Sequence, residues 1–286
     1  MSGCVLPATQ RRQHAAAEVR MNKNEAIGPG VSMTLGQGIA SIVIDNQAED
    51  NLLNPEVLKA LLSACERLRD DATTHVVTIR GEGDLYFSKG ILTPSIKLRL
   101  GKEGVLDVVR LANRTFDAVE ALPQVVIAGI NGFVRAGAVE LVLACDIRIA
   151  ADHSRMSMPE AKWGGFPGAG APVRLPLIVG SARALELICS AREIDAAEME
   201  KIGFVQAIVP QSTVPRALDE MACAFVANGP FALRGAKKIM QMRLETGFKA
   251  ARALSDELRT AFEWTSDADE GIAAHMEKRA AHFTGT

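Results

Sequence analysis

The sequence lacks several features that would point to particular classes of protein. Its 286 residues carry a formal net charge of −2, which argues against binding nucleic acid through bulk positive charge. No apolar run approaches the roughly 20 residues that span a bilayer, so no membrane partner is expected. The histidines and cysteines are scattered without the spacing of metal ligands, so no metal is expected. The odd number of dispersed cysteines also indicates reduced thiols and a cytoplasmic location.

What is present divides the chain into three parts. Residues 1–30 contain arginines but no sustained apolar period, which predicts a disordered or leader-like extension. Over residues 31–212, β-rich runs alternate with helical patterns, which is typical of an α/β core with parallel strand pairs. Residues 213–286 form a C-terminal helical region, with helices predicted over 215–227, 231–245, 248–265 and 268–282.

One predicted helix, from Gly137 to Cys145, is apolar on every side and carries a single carboxylate, Glu140. Such a helix is normally buried, and an ionised carboxylate without a partner is costly to bury. No charged residue lies at pairing distance along the helix. Glu140 can instead point to water and stabilise the helix dipole, but its apolar surroundings favour a functional site.

Two glycine turns in the core are candidates for binding negative charge. They are the strand-end turn Phe87–Ile91 and the start of the central helix at Ala136–Ala138. Glycine lets a backbone N–H closely face a ligand, and a helix N-terminus offers free N–H donors. Two N–H groups that converge on one oxygen form an oxyanion hole.

A second carboxylate, Glu160, follows the short extended segment that ends at Met158. A structural loop tip is one interpretation of this residue. The neighbouring Trp163 and Phe166 favour another, in which Glu160 lies in the wall of an apolar pocket.

The motif INGFVRAGAVELVLACDIRIA, followed by SMPE and GFPGAGAPVRLPLIVG, closely resembles the crotonase superfamily, the enoyl-CoA hydratase/isomerase family. The FSKG turn, Asn51-Leu52-Leu53 and the C-terminal EGIAAHMEKRAAHF extend the resemblance over residues 31–283. It implies a spiral of repeated ββα units with a C-terminal helical oligomerisation region. A homotrimer, or a hexamer made of two trimers, is the implied assembly.

The resemblance also implies roles for single residues. The backbone N–H groups of Ile91 and Gly137 form the oxyanion hole for an acyl-CoA thioester. Glu140 activates the water that attacks C3, and Glu160 protonates C2, which makes the protein an enoyl-CoA hydratase. Coenzyme A is part of the substrate, so no separate cofactor is implied. The residues implied in binding the substrate or its coenzyme A are Ser88, Lys89, Gly90, Trp163, Phe166, Lys278 and Phe283, the last two through a neighbouring subunit.

The sequence departs from the family at two places. Leu92 replaces an acidic residue, which is expected to alter the loop Ile91–Ser95, and Arg135 is an unusual residue just before the central helix. Alternatives of the same fold therefore stay open: an enoyl-CoA isomerase, or another acyl-CoA hydrolase or lyase. An RNA-binding member is less favoured, because charge runs usually mark a solvated helix face. The basic residues concerned are Arg234, Lys237, Lys238, Arg243 and Lys249.

Overall fold

Two β-sheets and the helices around them make up the structure, a computed structural model that describes residues 23–279 and 281. The strands are β1 (Lys23–Gly28), β2 (Val31–Gly36), β3 (Ile39–Ile44), β4 (Val76–Gly81), β5 (Tyr86–Ser88), β6 (Val125–Ile130), β7 (Phe133–Arg135), β8 (Ile147–Ala151), β9 (Arg155–Ser157), β10 (Glu193–Asp195) and β11 (Ala207–Val209). The helices are α1 (Pro55–Arg69), α2 (Pro94–Glu120), α3 (Gly137–Leu143), α4 (Ala171–Val179), α5 (Ser181–Ser190), α6 (Ala196–Lys201), α7 (Val214–Val226), α8 (Pro230–Glu263) and α9 (Ser266–Glu277). Short 3₁₀ helices cover Gln47–Glu49, Pro159–Trp163 and Gln211–Thr213.

The larger sheet has the order β1-β2-β3-β4-β6-β8-β11, and the smaller one has the order β10-β9-β7-β5. The β1, β2 and β3 strands pair antiparallel, whereas β3, β4, β6, β8 and β11 pair in parallel. Apolar clusters cover both faces of the larger sheet. Residues of α7 contribute to the cluster on one face. Burial on both faces explains why these parallel strands are almost continuously apolar in sequence.

The chain winds through the two sheets as a spiral. The β4-β5-α2 segment and the β6-β7-α3 segment each add one parallel strand to the larger sheet, one to the smaller sheet, and then a helix. The β8 and β9 strands repeat the step before the 3₁₀ helix and α4. The predicted spiral of ββα units is therefore confirmed. In each unit the second strand ends, and the helix begins, on the same side of the molecule. The two glycine turns therefore lie next to each other.

The ordered core begins earlier than predicted. Lys23–Gly28, assigned from the sequence to the extension, pairs with β2 in the larger sheet. An ion pair of 2.7 Å between Arg67 and Glu25 further connects this strand to α1. The prediction failed because edge-strand pairing carries little local signal in a short, mixed-polarity segment. Residues 1–22 lie outside the described residues.

The C-terminal region is helical, but 231–245 and 248–265 belong to the single helix α8. The helix continues through Gly247, because a glycine in a helix interior costs only about 1 kcal/mol relative to alanine. Contacts on both sides of it hold the helix against the core. Lys237 pairs with Asp146 at 2.7 Å, and Arg252 pairs with Asp117 at 3.0 Å.

Within residues 23–279 and 281, no helix combines the length and apolarity needed to cross a membrane. Among these residues, the thiols of Cys65, Cys145 and Cys189 are free. The cytoplasmic location stays a prediction.

Candidate active site

Glu140 lies in the first turn of α3 and is almost completely buried, at 2% exposure. Its Oε1 accepts hydrogen bonds from the N–H of Ala169 at 2.7 Å and of Ala171 at 3.0 Å. Burial raises the pKa of this carboxyl to about 7, while the two N–H groups and Arg174 act in the opposite direction. The alternative in which Glu140 points to water is wrong.

Arg174 supports the loop that holds Glu140. Its guanidinium enters from α4, donates to the Ala169 carbonyl at 3.3 Å, and bonds to Asp117 at 2.6 Å and Glu120 at 2.7 Å. Both carboxylates belong to α2, so the contact joins two helices to one loop. Charge-assisted hydrogen bonds of this kind are about twice as strong as neutral ones, and they set the position of the Ala169 N–H.

Glu160 lies in the 3₁₀ helix Pro159–Trp163. The residue as a whole is partly exposed, but its Oε2 atom is buried and has no hydrogen-bond partner in the described part of the chain. Burial is the main cause that raises its pKa to about 8, and the charge of Glu140 adds to it. A backbone hydrogen bond and the cations Arg259 and Lys97 lower the pKa by less.

The two glycine turns meet beside these carboxylates. Gly90 has φ +104°, which favours glycine, and a Cβ there would lie 2.6 Å from the Arg135 carbonyl and 3.2 Å from the Gly137 nitrogen. A Cβ on Gly137 would overlap the Ile91 side chain. Among the described residues, the N–H groups of Ile91 and Gly137 donate no hydrogen bond. The Ile91 peptide and the start of α3 are therefore in close contact, with their donors available to a ligand.

The two carboxylates and the two turns line one cavity. Its remaining lining combines apolar side chains with two cations. The lining residues are Ile91, Leu92, Lys97, Val109, Ala136, Gly137, Glu140, Glu160, Trp163, Gly165, Phe166, Gly168, Ala169 and Arg259. Two acids with raised pKa values beside two unused N–H donors can transfer protons to and from a substrate whose carbonyl oxygen gains negative charge.

Comparison with known proteins decides the family. The family model described as enoyl-CoA hydratase/isomerase matches residues 34–286. The chain belongs to the enoyl-CoA hydratase/isomerase family. The protein YngF of Bacillus subtilis is 35% identical over 91% of this chain and 100% of its own length. The crotonyl-CoA hydratase of Syntrophomonas wolfei is 30% identical over 86% of this chain and 94% of its own length.

A solved structure agrees with this assignment. The crystal structure of an enoyl-CoA hydratase from Bacillus anthracis is 31% identical, covers 90% of this chain and 100% of its own, and has a TM-score of 0.73. These comparisons confirm the predicted crotonase fold and the predicted function as an enoyl-CoA hydratase. The chain is an enzyme of this family.

Not every residue that the family resemblance implicated lies at the cavity. Ser88 is fully buried, and its Oγ accepts the Gly90 N–H at 3.0 Å, so it shapes the turn and has no exposed surface for coenzyme A. Lys89 pairs with Asp50 at 2.8 Å and stays partly exposed.

The family resemblance also implied two C-terminal residues in binding coenzyme A. Lys278 is an exposed residue at the end of α9 and does not line the cavity of this chain. Phe283 lies outside the described residues.

The loop Ile91–Ser95 is shorter than predicted. Thr93 caps α2 through its Oγ1, which accepts the Ile96 N–H, and Pro94 is the first helical residue. The helix then turns at Gly101, whose φ of 68° is not helical. Arg135 lines a separate cleft with Lys162 and is not part of the carboxylate cavity.

The two cations of the cavity could not be predicted from the sequence. Lys97 belongs to α2 and Arg259 to α8, and their meeting depends on how the C-terminal helix folds back over the core. No local spacing signals that meeting. The same packing weakens the RNA-binding alternative, because Arg234 donates to the carbonyl oxygens of Asp71 and Thr74 and Lys237 is buried against Asp146.

Proposed function

We propose that this enzyme adds water in syn fashion across the conjugated double bond of 2-enoyl-CoA thioesters, with Glu140 and Glu160 acting on the same face. One observation carries the proposal. Two carboxyl groups with raised pKa values share a single cavity with two backbone N–H groups that donate no hydrogen bond in the described part of the chain.

In the proposed reaction, the N–H groups of Ile91 and Gly137 donate to the thioester oxygen. Glu140 accepts a proton from water as the water oxygen bonds to C3. The electrons of the double bond move toward the thioester oxygen and form an enolate, which the two donors stabilise. Glu160 then delivers its proton to C2. The Glu140 Oε1 is occupied by the N–H groups of Ala169 and Ala171, so the other carboxylate oxygen faces the water.

Separate replacement of the two acids, Glu140→Gln and Glu160→Gln, tests the assignment. Hydration of crotonyl-CoA, followed as loss of the conjugated thioester absorbance, is expected to fall about 10²- to 10⁴-fold in each variant, because each loses one general acid or base. The matched control is Glu103→Gln, an exposed acid on α2 that keeps full activity.

The same variants separate hydration from isomerisation. Isomerisation moves a proton between C2 and C4, and one carboxylate suffices for this, so an isomerase keeps its activity on 3-enoyl-CoA when the dispensable acid is removed. A variant that still hydrates crotonyl-CoA at the wild-type rate contradicts the two-carboxylate mechanism.

We also propose that the chain assembles as a homotrimer, alone or paired into a hexamer. Large apolar side chains on helices of the outer surface support an interface: Leu177 is 58% exposed, Leu185 64%, Ile239 72% and Met240 68%. Light scattering on a sizing column is expected to give three or six times the chain mass of 30.6 kDa. A single-chain mass at micromolar concentration contradicts the assembly.

A further inference from the structure

Two buried cations face the cavity from helices that are distant in sequence. The side chain of Lys97, on α2, is 6% exposed, and that of Arg259, on α8, is 8% exposed, yet both line the cavity together with Glu160. Buried cations are costly unless they are paired and hydrogen-bonded. Their partners therefore indicate whether they only join the helices or also have a ligand.

One carboxylate lies behind both cations. Glu263 Oε2 is 2.9 Å from an Arg259 nitrogen and 3.6 Å from the Lys97 nitrogen, and Glu263 itself does not line the cavity. A single carboxylate thus serves two cations, on the side away from the substrate. Within the described residues, the buried Arg259 Nε has no hydrogen-bond partner.

The two active-site acids do not complete the pairing. In the described part of the chain, neither Glu140 nor Glu160 forms an ion pair with Lys97 or Arg259 within 4.0 Å. Glu140 is held by backbone N–H groups, and Glu160 has to carry a proton to act as the acid of the proposed reaction. The cavity wall therefore contains two cations that neither active-site carboxylate neutralises through an ion pair.

The surrounding loop fits the guanidinium closely. A Cβ on Gly168 would lie 2.7 Å from Arg259 Cδ, and one on Gly165 would lie 3.4 Å from its Nη1. Small residues at both positions let Arg259 reach the cavity wall. Leu92, Val109 and Phe166 supply the apolar lining for the methylene groups of an acyl chain. A cavity lined by apolar side chains and two cations is suited to a short acyl chain that ends in an anionic group.

We propose that Lys97 and Arg259 bind a second carboxylate on the acyl group, so that the preferred substrates are CoA thioesters of unsaturated dicarboxylic acids. This inference rests on the proposed function, because it assumes that the acyl chain occupies this cavity. A planar guanidinium binds a carboxylate through two parallel hydrogen bonds, and the lysine adds a point charge.

Binding of two saturated thioesters, which cannot be hydrated, tests the inference without catalysis. Glutaryl-CoA and pentanoyl-CoA have five-carbon acyl chains and differ in the terminal carboxylate. Calorimetric titration is expected to show glutaryl-CoA binding about tenfold to a hundredfold more tightly, as charge-assisted hydrogen bonds allow. The Arg259→Met substitution is expected to remove the preference, and Lys97→Met to reduce it while leaving the Arg259–Glu263 pair in place.

The control is Arg99→Met, which removes an exposed cation from α2 and is expected to keep the preference. Equal affinity of the wild-type enzyme for both thioesters overturns the inference. So does equal weakening of both thioesters in the variants, which assigns the cations to coenzyme A phosphates or to folding. If neither thioester binds, the proposed function itself fails. Should Arg259→Met not fold, the wild-type comparison and Lys97→Met still decide the matter.

Discussion

Glu140 and Glu160 line the same cavity but have contrasting surroundings. Glu140 is enclosed by α3 and the loop before α4, and two backbone N–H groups stabilise its charged form. Glu160 is on a short 3₁₀ helix, and its buried Oε2 has no hydrogen-bond partner in the described part of the chain. Burial raises both pKa values, to about 7 for Glu140 and to about 8 for Glu160.

These different surroundings explain how one cavity can hold both a base and an acid made from the same type of side chain. Hydrogen bonds to the ionised form keep Glu140 able to lose its proton near neutral pH. Glu160 lacks comparable support and is also next to Glu140, so it holds its proton to a higher pH. Environments that separate two pKa values in this way assign the acid and base roles.

The contrast between the two acids should affect the pH dependence of hydration most strongly. Between pH about 7 and about 8, Glu140 is ionised while Glu160 is protonated, so kcat/KM for crotonyl-CoA is expected to peak there. Below the peak Glu140 gains a proton, and above it Glu160 loses one. Each limb then falls about tenfold per pH unit, so the rate at pH 5 is roughly a hundredfold below the maximum. A rate that stays constant from pH 5 to 9 contradicts the division of roles.

Much of this contrast could be predicted from the sequence, but only where the signal is local. An all-apolar helix with one acid predicts a buried Glu140, and the aromatic neighbours of Glu160 predict its apolar wall. The hydrogen bonds that distinguish the two acids come from Ala169 and Ala171, which donate through backbone N–H groups. Backbone donors leave no residue type to recognise, so the different environments of the acids were not predictable.

Helix α4 and the two cavity cations escaped prediction for related reasons. The segment Ala171–Val179 contains Pro176, which usually argues against a helix interior, yet it forms a helix packed on α5. Tertiary packing outweighs local preference there. Lys97 and Arg259 are brought together by α8 lying across α2, a long-range contact that no spacing along the chain encodes.

The next effect is on stability, and it also distinguishes the two acids. A carboxyl group whose pKa is raised by folding holds a proton that the unfolded chain releases above pH 4.5. Stability is therefore complete below that pH and falls as the pH rises toward about 8 for Glu160 and about 7 for Glu140. Replacement by glutamine removes this loss. The decrease in Tm between pH 5.5 and 8.5 is expected to be smaller in Glu160→Gln than in the wild type, and intermediate in Glu140→Gln. Equal decreases in all three proteins contradict the raised pKa values.

The smallest expected effects move one limb of the pH profile at a time. The charge of Arg174 lowers the pKa of Glu140, and the charge of Lys97 lowers that of Glu160. Hence Arg174→Gln is expected to shift only the acidic limb to higher pH, and Lys97→Met only the alkaline limb, each by a few tenths to about one pH unit. The exposed Arg114 on α2 provides the control, because Arg114→Gln is expected to move neither limb. If Arg174→Gln shifts the alkaline limb and Lys97→Met the acidic one, Glu160 is the base and Glu140 the acid. The carboxylates then keep their shared cavity but exchange their proposed roles.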